Sequence, residues 1–124
     1  MSPLAYEVRD GKARYDDRTL AEWVPEIVQR LAEQFAPSRI VLFGSVARGD
    51  DERDSDVDLL VVLPELRLRH HDAAVSMLRS LRDLPVPVQV FVTDRRECER
   101  RHDVIGSMHY WPLREGRVVY ARAA

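Results

Sequence analysis

Two aspartates two residues apart, Asp56 and Asp58, stand at the head of an apolar run, and Gly44-Ser45 follows an earlier apolar run directly. In a strand, alternate side chains share a face, so Asp56 and Asp58 point the same way with Cα atoms about 6.7 Å apart. Paired carboxylates at the mouth of a sheet repel each other. A hard divalent cation such as Mg²⁺, which prefers carboxylate oxygens, removes that cost. Gly44 lets a phosphate approach the backbone closely, and Ser45 adds a hydroxyl donor. A short helix beginning at Val46 would turn its free N–H groups on the same anion. Phosphate donors on one side and metal carboxylates on the other describe a site for a magnesium-bound nucleoside triphosphate.

Each half of this pattern alone is ordinary: Gly-Ser after a strand is usually a turn, and Asp-Ser-Asp a polar turn. Their joint occurrence between two apolar runs is much rarer. Three other carboxylate motifs fail. Asp54, Asp56, Asp58 and Glu65 fall at positions 1, 3, 5 and 12 of a calcium-binding EF-hand loop, but Leu59 stands where the turn needs glycine. A haloacid-dehalogenase-type phosphatase has its aspartates after the apolar strand, not before it. A DxD glycosyltransferase needs a much larger domain.

The elements that must hold these residues can be read from pattern. Thr19 and Glu22 have capping-box spacing, and Trp23, Ile27, Leu31 and Phe35, with Val24 and Val28 beside them, mark one buried helix face. Pro25 is then expected in the first turn, where a missing N–H costs little. Strands are predicted over 39–43, 57–63 and 86–92, the last with Pro85 and Pro87 at its entry. Helices are predicted over 70–82, with Ala74, Met77, Leu78 and Leu81 on one side, and over 95–102, started by Asp94 and Glu97. Residues 117–121 read as a final strand or docked segment. Asp10-Gly11 between short runs marks an N-terminal arm or hairpin over 1–18, ahead of a domain over 19–124. The order is α/β (α+β), a small mixed β-sheet packed against helices.

Composition narrows the class. The chain has 124 residues and a formal net charge of -2, so no net positive field draws it to nucleic acid. Its single cysteine, Cys98, excludes an internal disulfide and a cysteine-based zinc site. No apolar run reaches membrane-span length, and the opening residues lack the basic and apolar regions of a signal peptide. A cytoplasmic protein without a membrane partner is expected.

The stretch from Phe43 to Leu59, with Gly44-Ser45, Arg48-Gly49 and Ser55-Asp56-Val57-Asp58-Leu59, resembles the signature of the DNA polymerase β-like nucleotidyltransferase superfamily. The single-domain size is similar to its minimal nucleotidyltransferase (MNT) branch, and the resemblance spans about residues 20 to 120. It implies a polymerase β-like fold in which Gly44, Ser45 and Ser55 contact the nucleotide. Asp56 and Asp58 would be catalytic, binding one or two Mg²⁺ that activate an acceptor hydroxyl while pyrophosphate leaves. Arg48 would touch phosphate or pair with Asp50 or Asp51 at the surface. The resemblance also implies a helical HEPN-type partner, as in toxin–antitoxin pairs, with the chain modifying that partner.

The chain departs from the family pattern at one place. Active members carry a third carboxylate on the next strand, and Gln89 stands at that position. Glutamine cannot serve as an anionic ligand or general base near neutral pH. Asp94, five residues on, faces the other side if the strand is regular. A catalytically weakened nucleotide-binding module is therefore the alternative to an active transferase. Among the remaining residues, His70 and His71 are expected in solvent, and His102 and His109 have no metal-ligand spacing. Arg95, Arg96, Arg100 and Arg101 are expected on a solvated face, the alternative being a docking surface for an acidic partner or RNA. Tyr110 and Trp111 are expected in the core, the alternative being an interface anchor.

Overall fold

The computed structural model describes residues 6–122; the first five residues of the predicted arm lie outside it. Strands β1 (Tyr6–Arg9), β2 (Lys12–Tyr15) and β3 (Arg18–Thr19) form a three-stranded antiparallel sheet. Asp10 and Gly11 both have positive φ, 54° and 79°, the backbone that a two-residue hairpin turn requires. The hairpin expectation holds over the described residues, and β3 is an addition. Its turn is made by Asp16 and Asp17, also at positive φ.

Helix α1 (Leu20–Phe35) starts in the predicted capping box: the Glu22 amide donates to Thr19 Oγ1 at 3.2 Å, and the Thr19 amide to Glu22 Oε1 at 3.2 Å. Its buried side is Leu20, Trp23, Val24, Ile27, Val28 and Leu31. Because the helix begins at Leu20, Pro25 falls in its second turn rather than its first, where it leaves the Ala21 carbonyl without the usual i+4 donor.

The main sheet holds β4 (Arg39–Phe43), β5 (Val57–Leu63), β6 (Val88–Asp94) and β7 (Arg117–Ala121) in the order β6-β5-β4-β7. Antiparallel pairs join β4 to β5 and to β7, while β5 and β6 run parallel. The bounds of β4 and β5 are those the apolar runs predicted. The third strand is shifted to 88–94: Pro85 and Pro87 lack amide donors, and the Pro87 carbonyl instead accepts from the Val57 amide at 3.0 Å. At its other end, buried Thr93 carries the strand onward.

Between β4 and β5 lies the short helix α2 (Gly44–Arg48), which starts at Gly44 and not at Val46. Helix α3 (His70–Ser80) links β5 to β6. It buries Met77 and, just beyond its end, Leu81 as expected, with Ala73 beside them; Ala74 is only partly buried and Leu78 is exposed, so the stripe leans towards Ala73. Helix α4 (Arg95–Arg101) is capped by Asp94, whose Oδ1 accepts from the Glu97 amide at 2.9 Å. Helix α5 (Tyr110–Glu115) has no counterpart in the sequence reading.

Strand alternation divides the core between two faces. Ile40, Leu42, Val57, Leu59, Val61, Val90 and Val92 pack with α1 and α3. Val41, Leu60 and Val62 face the other way, towards Cys98 of α4 and Leu113 of α5. Gly116, just after α5, fits against β4 so closely that an added Cβ would lie 2.5 Å from Val41 Cγ1 and 3.0 Å from the Leu42 carbonyl oxygen. Among the described residues no helix is long and apolar enough to cross a membrane.

Candidate functional site

Parity along the strands fixes the site. Asp58 follows buried Val57 and shares the face of Leu60 and Val62, the side covered by α4 and α5. Phe43 of β4 is its antiparallel partner and Gln89 of β6 its parallel partner. Towards this end of the sheet the covering helices give out: Asp58 is half-buried and Gln89 exposed. Asp56 precedes the strand instead of opening it, because β5 begins at Val57. Its charge still reaches its neighbour. Burial and then the Asp56 carboxylate push the Asp58 carboxyl up to about 6, against an opposing pull from Arg48.

Gly44 belongs to the same constellation. Its φ is +76°, and a Cβ there would overlap Asp58 Oδ2. Only a residue without a side chain lets the end of β4 lie against that carboxylate. Ser45 is half-buried in the first turn of α2. Ser55 Oγ accepts from the Glu52 amide at 2.8 Å, so its hydroxyl also shapes the turn ahead of Asp56. Arg48 makes the surface pair that was one of its two expected roles, with its Nε 3.2 Å from Asp50 Oδ2, and its charge also acts on Asp58.

The donor set fits a magnesium ion shared with a ligand. Two carboxylates, one of them destabilised by burial and by the other, gain from a hard cation. Mg²⁺ commonly takes one or two carboxylates and completes its shell with phosphate oxygens and water. Among the described residues no three His, Cys, Asp or Glu side chains come together in a metal-binding group, so a closed, all-protein cage is not what the residues form.

Asp94 is not a hidden third carboxylate. It pairs in register with Leu63 at the far end of β6, and the parallel ladder runs unbroken from Val57–Val88 to that point, with no bulge. Its oxygens accept from the Leu66 and Glu97 amides. Gln89 thus stands level with Asp58 in the parallel ladder.

The sequence reading missed three supports. Lys12 of the hairpin donates to the Gly49 carbonyl at 2.9 Å and to Asp51 Oδ1 at 3.0 Å; Asp51 is buried, so this reach clamps the loop after α2. Tyr15, on the next turn of chain, is raised in pKa by burial and by the nearby charges of Tyr6, Asp56 and Asp54, which places the hairpin beside the acidic loop. The third is His109, for which the sequence offered only the lack of a metal-ligand spacing. It is buried, with Nε2 2.5 Å from Thr93 Oγ1; Thr93 in turn donates to Glu97, which also holds His70 at 2.7 Å. Burial lowers the pKa of His109, so it is a neutral tie between α5 and β6. No spacing signal predicts such a pair. His70 and His71 are exposed as expected, as are Arg95, Arg96, Arg100 and Arg101. Cys98 is buried and its thiol pKa raised by that burial, which removes it as a nucleophile. Trp111 contradicts its expected place in the core: it is 56% exposed, because α5 turns it away from Leu113 and Pro112.

Comparison with known proteins agrees with this geometry. The family model described as a nucleotidyltransferase domain matches residues 24–111. A crystal structure of a candidate nucleotidyltransferase from Sulfolobus solfataricus is similar at 25% identity and a TM-score of 0.58, over 83% of this chain and 81% of that one. No curated protein matches the chain. The family match covers β4, α2, β5 and β6, the elements that bring Gly44, Asp58 and Gln89 together, and the chain belongs to the nucleotidyltransferase domain family.

Proposed function

We propose that this chain binds a magnesium-complexed nucleoside triphosphate at Gly44, Ser45, Asp56 and Asp58, and transfers its nucleoside monophosphate to a hydroxyl slowly because Gln89 replaces an acid. The observation that carries the reading is the packing of Gly44 against Asp58, with Gln89 in register beside that carboxylate. Gly44 and Ser45 receive the phosphates where the backbone is bare, with Arg48 near the outer charges. Asp56 and Asp58 hold the cation, which supplies a Lewis acid for the α-phosphate and lowers the pKa of the acceptor hydroxyl.

In the transfer, the acceptor oxygen forms a bond to the α-phosphorus. The bridging oxygen between the α- and β-phosphates leaves with pyrophosphate, and the acceptor proton must depart. Gln89 can position the hydroxyl by a hydrogen bond but cannot take that proton, so water takes it and the step is slow. The acceptor we favour is a hydroxyl on a partner protein, the helical HEPN-type partner that the resemblance implies being the first to try.

The test is Gln89→Asp, followed by release of labelled pyrophosphate and by calorimetric titration of Mg·NTP. Restoring a general base is expected to speed release about 10²- to 10⁴-fold with little change in binding. Asp56→Asn/Asp58→Asn should abolish metal-dependent binding altogether. Fast transfer by the natural chain, unchanged by Gln89→Asp, would refute the weakening.

A further inference from the structure

Of the two tryptophans, Trp23 is 3% exposed and Trp111 is 56% exposed. Leaving so large an apolar ring in water forgoes its burial energy, yet this ring is held firmly. Tyr110 meets it edge to face, with centroids 4.9 Å apart at 87°, and the Arg114 guanidinium lies 4.4 Å from the Tyr110 ring centroid on the side chain's own stack. Gly116 locks the end of α5 against β4, and His109 ties its start to Thr93. The helix therefore has little freedom to swing the indole away.

The place where the indole is held is specific. Trp111 and Glu115 line a cleft of about 280 Å³ with Phe43, Gly44 and Arg48. Gly44 and Arg48 are the residues assigned above to the phosphates. The cleft lies just under the usual range of ligand pockets, roughly 300–1,000 Å³, which suits one planar ring system more than a whole nucleotide. A flat aromatic face next to a phosphate cradle is the arrangement by which proteins stack a base without reading its sequence.

We infer that Trp111 is the stacking platform for the nucleobase of the bound triphosphate, with the Glu115 carboxylate at its rim. This rests on the nucleotide site proposed above. Glu115 accepts hydrogen bonds and donates none. It favours bases with amine donors: guanine offers two adjacent N–H groups, adenine and cytosine an exocyclic amine. Uracil presents a single ring N–H between two carbonyl oxygens, which a carboxylate repels. The chain is thus expected to bind UTP least well.

The experiment compares Mg-bound ATP, GTP, CTP and UTP with Mg-bound inorganic tripolyphosphate, by calorimetry and by tryptophan fluorescence. Trp23, buried with its indole N–H on the Tyr15 carbonyl at 2.8 Å, also fluoresces, so the Trp111→Phe variant supplies the background to subtract. Stacking predicts that nucleotides quench Trp111 and tripolyphosphate does not. Trp111→Ala should weaken nucleotide binding about 5- to 150-fold and leave tripolyphosphate binding unchanged, while Trp111→Phe keeps most of the affinity. Glu115→Gln should narrow the gap between UTP and the other three. Equal affinities for nucleotides and tripolyphosphate, or a Trp111→Ala variant with undiminished nucleotide affinity, would overturn the platform and leave the phosphate and metal site standing. No binding of any of these ligands, tripolyphosphate included, would overturn both.

Discussion

On the α1/α3 side of the main sheet, β5 presents Val57, Leu59 and Val61, all wholly buried, and β6 presents Val90 and Val92 beneath them. On the other side the same two strands begin with Asp58 and Gln89 and become apolar only at Leu60, Val62 and Phe91. One side is covered along its whole length by a 16-residue helix and α3. The other has two short helices that shield only part of it. The difference teaches where the chemistry can sit. Ionisable groups are tolerated where helical cover stops and water or a ligand can complete their solvation. The rigidity of the covered side is what holds Asp58, Gly44 and Gln89 in place.

If that division is right, damage to the covered side should appear as lost stability with an intact site. Ile27 of α1 is wholly buried in the centre of that layer. Ile27→Ala removes buried methylenes and leaves a cavity, at a cost of about 2–5 kcal/mol. Urea unfolding should show a lower midpoint with an unchanged slope. The folded fraction should still bind Mg·NTP with the affinity of the natural chain. A binding loss that exceeds the unfolded fraction would show that the two faces are not separable.

The open face should fail differently. Gly116→Ala places a methyl group against the Pro112 carbonyl of α5 as well as against Val41 and the Leu42 carbonyl of β4, so the end of α5 must reshape and its seat on β4 must loosen. The expected cost is about 1–3 kcal/mol, smaller than for Ile27→Ala. Its distinctive result is functional: nucleotide affinity should fall towards that of tripolyphosphate as Trp111 leaves the cleft. A variant that loses stability but keeps full nucleotide discrimination would separate α5 docking from base binding.

How much of this was legible beforehand follows the same division. The covered face announces itself in the sequence, because a helix at 3.6-residue period and two continuous apolar runs are local signals. The bounds of β4 and β5 and the Thr19–Glu22 capping box could be read directly from them. Asp56 and Asp58 were legible because their spacing has a geometric meaning in or beside a strand, and Gln89 only because the family resemblance implies an acid on the next strand. The open face was harder. Helix α5 has six residues and contains Pro112, too short for a period to show. Whether Trp111 enters the core or faces the cleft depends on how Gly116 meets β4, a tertiary contact with no local trace. The Thr93–His109 tie likewise joins residues 16 apart. Pro25 was misplaced by one turn although the Thr19 cap already sets the helix start at Leu20, which makes Pro25 the sixth helical residue.

A pH dependence of stability is expected at the heart of the open face. The Asp58 carboxyl, ordinarily near 3.8, is raised to about 6 by burial and by Asp56. In metal-free protein the folded state therefore holds a proton that the unfolded state has released between those two values. Stability should fall as pH rises through that window and level off above about 6, since the folded state binds more protons there. Asp58→Asn carries no charge to bury. Its melting temperature should stay flatter over the same window and exceed that of the natural chain above it, although the variant no longer binds Mg·NTP. The ligand should act in the opposite sense on the natural chain. A cation favours the ionised carboxylate, so Mg·NTP binding should weaken as pH drops below about 6. A natural chain whose melting temperature ignores pH across this range, or an Asp58→Asn variant less stable than it at neutral pH, would mean that the open face pays nothing for its carboxylates. The contrast between the two faces would then be one of cover alone, not of electrostatic strain.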